Sequence, residues 1–176
     1  VVALSDAGYT PVIIDDFRNA QPWIIDRIEQ ITGHRPAVFD IDCQDEVKVA
    51  KVFDQYETIF GLIHFAADKA VGESVNNPLK YYQNNIGSLC TVLKVAEERG
   101  VRNIVFSSSC AVYGAVSDPV VTENHPVKAA MSPYGDTKIT CEKIVRFTQA
   151  VSDSMTAILL RYFNPIGAHP SAEIGE

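Results

Sequence analysis

The stretch Asn103-Ile-Val-Phe-Ser-Ser-Ser109 joins an apolar run of strand length, residues 103–107, to three consecutive serines. Helical patterns flank this run on both sides, over residues 79–99 and 132–151. A strand that lies between two helices of crossover length is predicted to pair in parallel with its neighbours in a sheet. The apolar residues of 79–99 recur at steps of three and four, as the buried face of a helix requires. They are Leu79, Tyr82, Ile86, Leu89, Leu93 and Ala96.

The rest of the chain continues this alternation of strands and helices. Further apolar runs of strand length lie at 10–15, 37–41, 58–66 and 156–162. They are almost continuous in Val, Ile, Leu and Phe, which is typical of strands buried on both faces. We therefore predict an α/β protein with a Rossmann-like, doubly wound parallel sheet.

Both ends of the sequence have the pattern of an interrupted element. Val1–Gly8 has the pattern of the last turns of a helix that ends at a glycine. The segment Phe163-Asn-Pro-Ile-Gly167 follows the last strand shortly before the chain stops. The interpretation is that residues 1–176 form a partial dinucleotide-binding domain, truncated at both ends, with the first strand and its glycine-rich loop upstream of Val1.

Composition narrows the class of function. The chain has 15 Lys and Arg residues against 22 Asp and Glu residues, a net charge of −7. This balance argues against nucleic acid or an anionic membrane as the main partner. No run approaches the roughly 18 apolar residues of a membrane-spanning helix. The four cysteines are irregularly spaced and no histidine clusters with them, which argues against a metal site or a disulfide framework. We predict a soluble, cytoplasmic protein.

Acidic residues follow the first of the strand-like runs. The run 10–15 ends in Asp15-Asp16. An acid after the second strand of a dinucleotide fold accepts hydrogen bonds from a ribose diol and repels a 2′-phosphate, which favours NAD over NADP. A solvated loop acid is an equally good interpretation of the same residues.

Two further strand ends carry candidate cofactor residues. Asp42 follows the run 37–41, where it could lie at the adenine or could instead cap the helix that begins near Asp45. The run 58–66 ends in Phe65-Ala66-Ala67. Small residues at that position let a cofactor pass close to the backbone, and they serve equally well for packing between a sheet and a helix.

Tyr134 and Lys138 lie one turn apart at the start of a predicted helix, so they share one helical face. One lysine charge about 4 Å from a phenol, at an effective dielectric near 20, stabilises the ionised form by ~4 kcal/mol. Ser109, at a strand end, could relay or orient the proton. A packed tyrosine beside a solvated lysine is the alternative, which the parallel-sheet context disfavours. The connection 115–131 is too long for a plain turn and is predicted to lie near this site.

Five segments carry a resemblance to a known family. They are His64–Val75, Tyr81–Asn85, Phe106–Gly114, Ser132–Lys138 and Leu160–Pro170. In this order they resemble the extended short-chain dehydrogenase/reductase family, and specifically its members that epimerise UDP-hexoses at C4. The resemblance covers the chain from about Asp15 to its end.

The resemblance implies an NAD-dependent interconversion of UDP-glucose and UDP-galactose by transient oxidation at the sugar C4. Tyr134 would remove the proton from the 4-hydroxyl, and Lys138 would tune Tyr134 and hold the nicotinamide ribose. Ser109 would hydrogen-bond the 4-oxygen. A homodimer formed through helices 79–99 and 132–151 is expected on the same analogy.

The resemblance also implies two sets of binding residues. The NAD set is Asp15, Asp16, Asn19, Asp42, Cys43, Phe65, Ala66, Ala67, Lys69, Asn84, Ser107, Tyr134, Lys138 and Phe163. The set for the UDP-hexose is Lys69, Ser109, Tyr134 and Asn164.

The sequence departs from the family pattern in several places. In the family, the position of Ala67 is often Gly and that of Asp68 is often apolar. The carboxylate of Asp68 would lie near the cofactor phosphates, and the sequence gives no physical reason for it. The glycine-rich loop and the C-terminal lobe that grips uridine diphosphate are missing. We therefore expect the 176-residue chain alone to bind NAD poorly, because a helix N-terminus that would bind phosphate is absent.

Three alternative functions differ in how well the sequence fits them. A nucleotide-sugar 4,6-dehydratase usually carries Asp-Glu after the serine strand end, whereas here Cys110 and Ala111 follow Ser109. The absence of a carboxylate there counts against dehydration. Epimerases of UDP-glucuronate or UDP-N-acetylhexosamines, and a non-catalytic dinucleotide-binding domain, stay open.

Overall fold

The computed structural model describes residues 1–117 and 120–175, which form two units. The first unit contains residues 1–43 together with the segment from 164 onward, and the second contains residues 44–163. Both units alternate strands and helices, and every strand pair in the described residues is parallel, as the hydrophobic pattern predicts. No helix in these described ranges is both long enough and apolar enough to cross a membrane.

The first unit is a two-stranded parallel sheet with two helices. Its elements are α1 (Val2–Asp6), β1 (Val12–Asp15), α2 (Ile24–Thr32) and β2 (Ala37–Asp40). Val12 of β1 pairs with Ala37 of β2, and Asp15 pairs with Asp40 at the carboxyl end. Helix α1 is followed by Gly8 at a φ of +84°, which confirms the predicted helix end. Glycine tolerates this left-handed conformation because it has no Cβ.

The second unit is a three-stranded parallel sheet in the order β3-β4-β5 with its connecting helices. Its strands are β3 (Gly61–His64), β4 (Asn103–Ser109) and β5 (Thr156–Tyr162). Its helical segments are α3 (Glu46–Phe53), α4 (Val71–Asn76), α5 (Pro78–Tyr81), a π-helical turn (Tyr82–Ile86), α6 (Gly87–Glu98), a 3-10 turn (Cys110–Tyr113) and α7 (Pro133–Val151). The run predicted at 58–66 is a shorter strand, whereas β4 extends two residues beyond the predicted 103–107 and takes in the serines.

The pattern over 79–99 is three consecutive helical segments rather than one helix, because a π-helical turn interrupts it. A π turn inserts one extra residue and rotates the buried face that follows it. Leu89, Leu93 and Ala96 of the apolar stripe are buried in α6, but Leu79 is 72% exposed. The apolar residues before the π turn and those after it therefore lie on different faces of the helical segments.

Helix α7 begins as predicted. The side chain of Ser132 accepts a hydrogen bond from the backbone N–H of Gly135 at 3.2 Å, and Pro133 is the first helical residue. The buried face of α7 contains Lys138 and Glu142 among its apolar residues. Ionised side chains are rarely buried unless they are paired, so this face marks the part of the fold where chemistry is expected.

His64, the last residue of β3, makes the stability of the fold sensitive to acid. Its ring is 4% exposed and stacks on Phe106 with centroids 6.1 Å apart. Burial, followed by the charge of Lys138, lowers the pKa of His64 to about 4. Among the described residues, its Nε2 has no hydrogen-bond partner. The unfolded chain therefore binds this proton more readily than the folded chain does, and the stability contribution falls as pH drops from 6.5 towards 4.

We predict that His64→Phe, which keeps a ring over Phe106, removes this acid sensitivity. The lowered pKa of His64 corresponds to about 3 kcal/mol. Between pH 6.5 and 4, the variant should therefore lose up to about 3 kcal/mol less of its free energy of unfolding than the parent does. Urea unfolding at several pH values measures it. His34→Phe, which removes an exposed imidazole, is the control. An unchanged slope in His64→Phe would contradict the prediction.

Candidate active site

Lys138 lies against the end of β4, with the ring of Tyr134 beside it. The Nζ atom of Lys138 donates a hydrogen bond of 2.7 Å to the backbone carbonyl of Ser107. The same atom lies 5.8 Å from the ring centroid of Tyr134 and 4.9 Å from that of Phe106. Lys138 is only 4% exposed, so the alternative of a solvated lysine beside a packed tyrosine is wrong.

The ammonium group of Lys138 loses its proton at a lower pH than an ordinary lysine does. Burial lowers the pKa of Lys138 to about 8. The side chain is therefore largely protonated at pH 7 and places a positive charge beside the phenol of Tyr134. A buried cation interacts more strongly with a nearby developing anion than an exposed one does, because less water screens it.

The three serines at the end of β4 have three different roles. The carbonyl of Ser107 accepts from Lys138, and the hydroxyl of Ser108 donates to Glu142 at 2.6 Å. The Oγ of Ser109 accepts from the backbone N–H of Ala111 at 3.2 Å and so caps the 3-10 turn. Because Oγ acts as acceptor in that bond, the hydroxyl hydrogen of Ser109 remains a donor for a ligand oxygen.

The structure contains a buried ion pair next to the site that was not predicted from the sequence. Glu142 is 4% exposed, and both of its carboxylate oxygens accept from Arg161, at 2.8 Å each. Burial would raise the pKa of Glu142, but the hydrogen bonds from Arg161 and Ser108 lower it below its usual range. Two signals pointed to this pair: Glu142 shares the helical face of Lys138 one turn further on, and Arg161 interrupts an apolar strand.

Aromatic rings extend this pair to Phe163. The guanidinium of Arg161 lies 4.9 Å over the ring of Tyr113, and Tyr113 stacks on Phe163 with centroids 6.5 Å apart and an angle of 27°. Phe163 nevertheless remains 55% exposed. Tyr113 therefore holds one face of the Phe163 ring, which is predicted to contact the nicotinamide, and the rest of Phe163 is exposed.

The π-helical turn fastens the loop after β3 to α7. The side chain of Asn85 accepts from the backbone N–H of Asp68 at 2.8 Å and donates to the carbonyl of the same residue at 3.0 Å. It also donates to the hydroxyl of Thr137 at 3.1 Å, and that hydroxyl donates to the carbonyl of Tyr134 at 2.7 Å. Asn84, a predicted cofactor residue, is buried in the same turn.

The carboxylate of Asp68, which the family pattern left unexplained, has a local partner. The Nζ of Lys80 lies 3.6 Å from its Oδ1 and 2.7 Å from Glu73. The side chain of Asp68 is only 14% exposed. Lys80 therefore offsets the charge of Asp68, which is also held by its backbone bonds to Asn85.

The long connection packs beside the site as predicted. Val116, Val121 and Ala130 contact the cluster formed by Val112, Tyr113 and Ile139, which joins the 3-10 turn to α7. Residues 118 and 119 of the predicted 115–131 stretch lie outside the described residues.

The remaining predicted residues divide between the two units. In the second unit, Phe65, Ala66, Ala67 and Lys69 directly follow His64, and Phe65 is 62% exposed. The first unit holds Asp15, Asp16, Asn19, Asp42, Cys43 and Asn164. The cap of α3 is Asp45, whose side chain accepts from Lys48, so the alternative interpretation of Asp42 as that cap is wrong.

Within the first unit, the acids lie together around Cys43. Burial, reinforced by the charges of Asp42, Asp15 and Asp16, raises the pKa of the Cys43 thiol to about 11. The thiol is therefore protonated at neutral pH and is a weak nucleophile. The carboxyl ends of β1 and β2 thus form an acidic cluster of the kind predicted to meet an adenosine.

The parallel α/β fold and the serine, tyrosine and lysine at one strand end define a protein of the short-chain dehydrogenase/reductase type. A sequence profile of the NAD dependent epimerase/dehydratase family matches residues 1–175, and the chain belongs to that family. The chain is 44% identical to UDP-glucose 4-epimerase of Dictyostelium discoideum and 43% identical to that of Bacillus subtilis. These matches cover 100% and 99% of this chain and 51% of each relative.

A solved structure gives the same result. UDP-glucose 4-epimerase from Bifidobacterium longum, in complex with NAD+ and UDP, superposes with a TM-score of 0.96 at 42% identity, over 99% of this chain and 52% of that one. The prediction of a Rossmann-like α/β fold is thereby confirmed. The chain spans about half the length of these relatives.

We predict that Lys138→Met stabilises the fold. The pKa of about 8 shows that burying this ammonium costs free energy below pH 8, and the cost is relieved as pH rises towards the ordinary lysine value. The lower pKa corresponds to about 3 kcal/mol, and after about 1 kcal/mol is subtracted for the lost hydrogen bond to Ser107, the free energy of unfolding at pH 7 should rise by about 2 kcal/mol.

Urea unfolding at pH 7 measures this change. The control is Lys143→Met, an exposed position on the same helix, which should stay within about 0.5 kcal/mol of the parent. A Lys138→Met variant less stable than the parent protein would be evidence against a costly buried charge.

Proposed function

We propose that the protein, at its natural length, interconverts UDP-glucose and UDP-galactose by transient oxidation at the sugar C4, with NAD as cofactor. The observation that carries this proposal is the hydrogen bond from buried Lys138 to Ser107, which holds a cation beside Tyr134 at a strand end. Relatives that are 40–46% identical over almost the whole chain support it, since most bear the name UDP-glucose 4-epimerase.

The residues of the chain fit a dinucleotide. Phe65 and Phe163 present rings that are 62% and 55% exposed, an unusual exposure for aromatic side chains and one that suits contact with a planar ligand. In the first unit, the Oδ1 of Asp15 accepts from the backbone N–H of Phe17, which orients the carboxylate at the end of β1. Asp15 and Asp16 would bind the adenosine ribose, and Phe163 would contact the nicotinamide.

NAD supplies an acceptor for the hydride from C4 and a donor for its return. The chain contributes the proton transfer. Tyr134 removes the proton of the 4-hydroxyl, and the charge of Lys138 stabilises the phenolate that does so. The hydroxyl of Ser109 donates to the 4-oxygen and so orients it. After the 4-keto sugar has turned over, Tyr134 would give the proton back to the 4-oxygen as the hydride returns to the other face of C4, which inverts the configuration there.

The order of residues after Ser109 disfavours dehydration. Cys110 and Ala111 follow it and form the 3-10 turn, so no carboxylate stands where an added acid and base would be needed. Tyr134, Lys138 and Ser109 are sufficient for the proton transfers of oxidation and reduction at one carbon. This supports an epimerase over a dehydratase within the family.

A homodimer through α6 and α7 belongs to the same proposal. The outer surface of these helices carries apolar side chains without cover: Phe147 is 73% exposed and Val151 is 82% exposed, and Cys90 of α6 is also exposed. Exposed apolar residues on a helix surface are typical of a surface that is buried between subunits.

We predict that Phe147→Glu converts the dimer to a monomer. A carboxylate in an apolar interface loses its hydration, which costs several times the thermal energy and shifts the equilibrium by tenfold or more. Light scattering coupled to size exclusion measures the mass. Lys51→Glu, at an exposed position of α3, is the control. A variant that keeps the parent mass, or a parent that is already monomeric, would contradict the proposed interface.

We predict that Tyr134→Phe lowers kcat for UDP-galactose by at least about a hundredfold, since general acid–base catalysis contributes that much or more. The fold should persist because only one hydroxyl is lost. A coupled assay for UDP-glucose measures turnover in the protein at its natural length. Tyr56→Phe, just after α3, removes a hydroxyl elsewhere and should leave kcat within twofold. Turnover close to the parent value in Tyr134→Phe would rule out this tyrosine as the base.

A further inference from the structure

Three charged or polar groups are buried together where the proton-transfer chemistry does not need them. Glu142 is 4% exposed, the side chain of Arg161 is 14% exposed and Ser108 is 2% exposed. Buried ion pairs add little net stability, because desolvation of both charges offsets their attraction. Apolar side chains of similar size would hold α7 on the sheet at least as well. Stability therefore does not account for this cluster.

The geometry of the cluster is directional. Glu142 receives two parallel N–H···O bonds from Arg161, at 2.8 Å each, and one bond of 2.6 Å from Ser108. Paired bonds between a guanidinium and a carboxylate fix angle as well as distance. Apolar packing resists separation of a helix from a sheet but allows sliding along it. This cluster prevents sliding, since it joins α7 to β4 and β5 at one point.

That point lies directly beneath the site. Glu142 is one turn from Lys138 and two turns from Tyr134 on the same helical face, about 6 and 12 Å along the axis. Ser108 is the residue after Ser107, whose carbonyl accepts from Lys138. A shift of α7 along β4 would therefore move the Nζ of Lys138 away from that carbonyl.

The other end of the cluster reaches Phe163. Arg161 lies 4.9 Å over the ring of Tyr113, which stacks on Phe163. The orientation of the guanidinium is set by Glu142 on one side, and it sets the ring of Tyr113 on the other. A single carboxylate is thus connected both to the lysine of the site and to its exposed aromatic residue.

We propose that Glu142 is a positioning residue of the reaction, which holds Lys138 on Ser107 and, through Arg161 and Tyr113, orients Phe163. The consequence for turnover rests on the proposed function. Misplacement of a reacting group by about 1 Å can cost up to about a hundredfold in rate. Loss of the cluster should therefore lower kcat with little effect on substrate binding.

The test removes the whole cluster at once. Ser108→Ala, Glu142→Met and Arg161→Met are combined, so that no buried polar partner is left unpaired, and the thermal midpoint should be equal to that of the parent or higher. In the natural-length protein with its cofactor, we expect kcat for UDP-galactose to fall ten- to a hundredfold while KM changes less than threefold. The single variant Arg161→Lys, which keeps the charge but loses the paired geometry, should lower kcat as well.

The matched control is Arg146→Met. Arg146 is 63% exposed and lies 4.0 Å from the same carboxylate, so its loss should leave kcat within twofold. A crystal structure of the triple variant provides a readout that does not depend on activity: the distance from Lys138 Nζ to the Ser107 carbonyl should exceed 3.5 Å.

The outcomes separate the two proposals. A stable triple variant with parental kcat and an unchanged Lys138 to Ser107 distance overturns the positioning role. If the triple variant does not fold, the single Arg161→Lys variant decides, because a parental kcat there equally overturns it. Absence of epimerase activity in the parent contradicts the proposed function alone, and the crystallographic distance then still tests the positioning role.

Discussion

A lysine ammonium that is buried and hydrogen-bonded to the end of a strand is the interaction on which the site depends. Nζ of Lys138 lies 2.7 Å from the carbonyl of Ser107, between the rings of Phe106 and Tyr134. One carbonyl and two aromatic rings solvate a cation less well than water does, which is why its pKa falls to about 8. The same hydrogen bond fixes the start of α7 against the end of β4.

Other polar and charged groups near this contact are also buried at a cost in the free energy of folding. His64 is buried without a hydrogen-bond partner for Nε2 among the described residues, and Glu142 and Arg161 are paired beneath it. Each of these groups is less favourable in a protein interior than an apolar residue of equal size. Their concentration around one strand end, with ordinary apolar packing in α6, is the distribution expected when a protein gives up stability locally for chemistry.

The parts of the site that follow from local rules could be predicted. Tyr134 and Lys138 share a helical face because they are one turn apart, and Ser109 ends an apolar run. The π-helical turn could not be predicted in this way, since the apolar steps of three and four run through 79–99 without a break that would mark it. Its contacts link Asn85 to Asp68, 17 residues away, and to Thr137, 52 residues away, and no local pattern records such partners.

Sequence alone was therefore enough for the parallel α/β order, the start of α7 and the placement of Tyr134 and Lys138 on one helical face, because each depends on neighbours within one turn or one strand. Long-range packing was needed to establish that Lys138 is buried rather than solvated, and that Glu142 pairs with Arg161. Whether a charge is hydrated or paired depends on which surfaces the folded chain brings together, and those surfaces come from elements far apart in sequence.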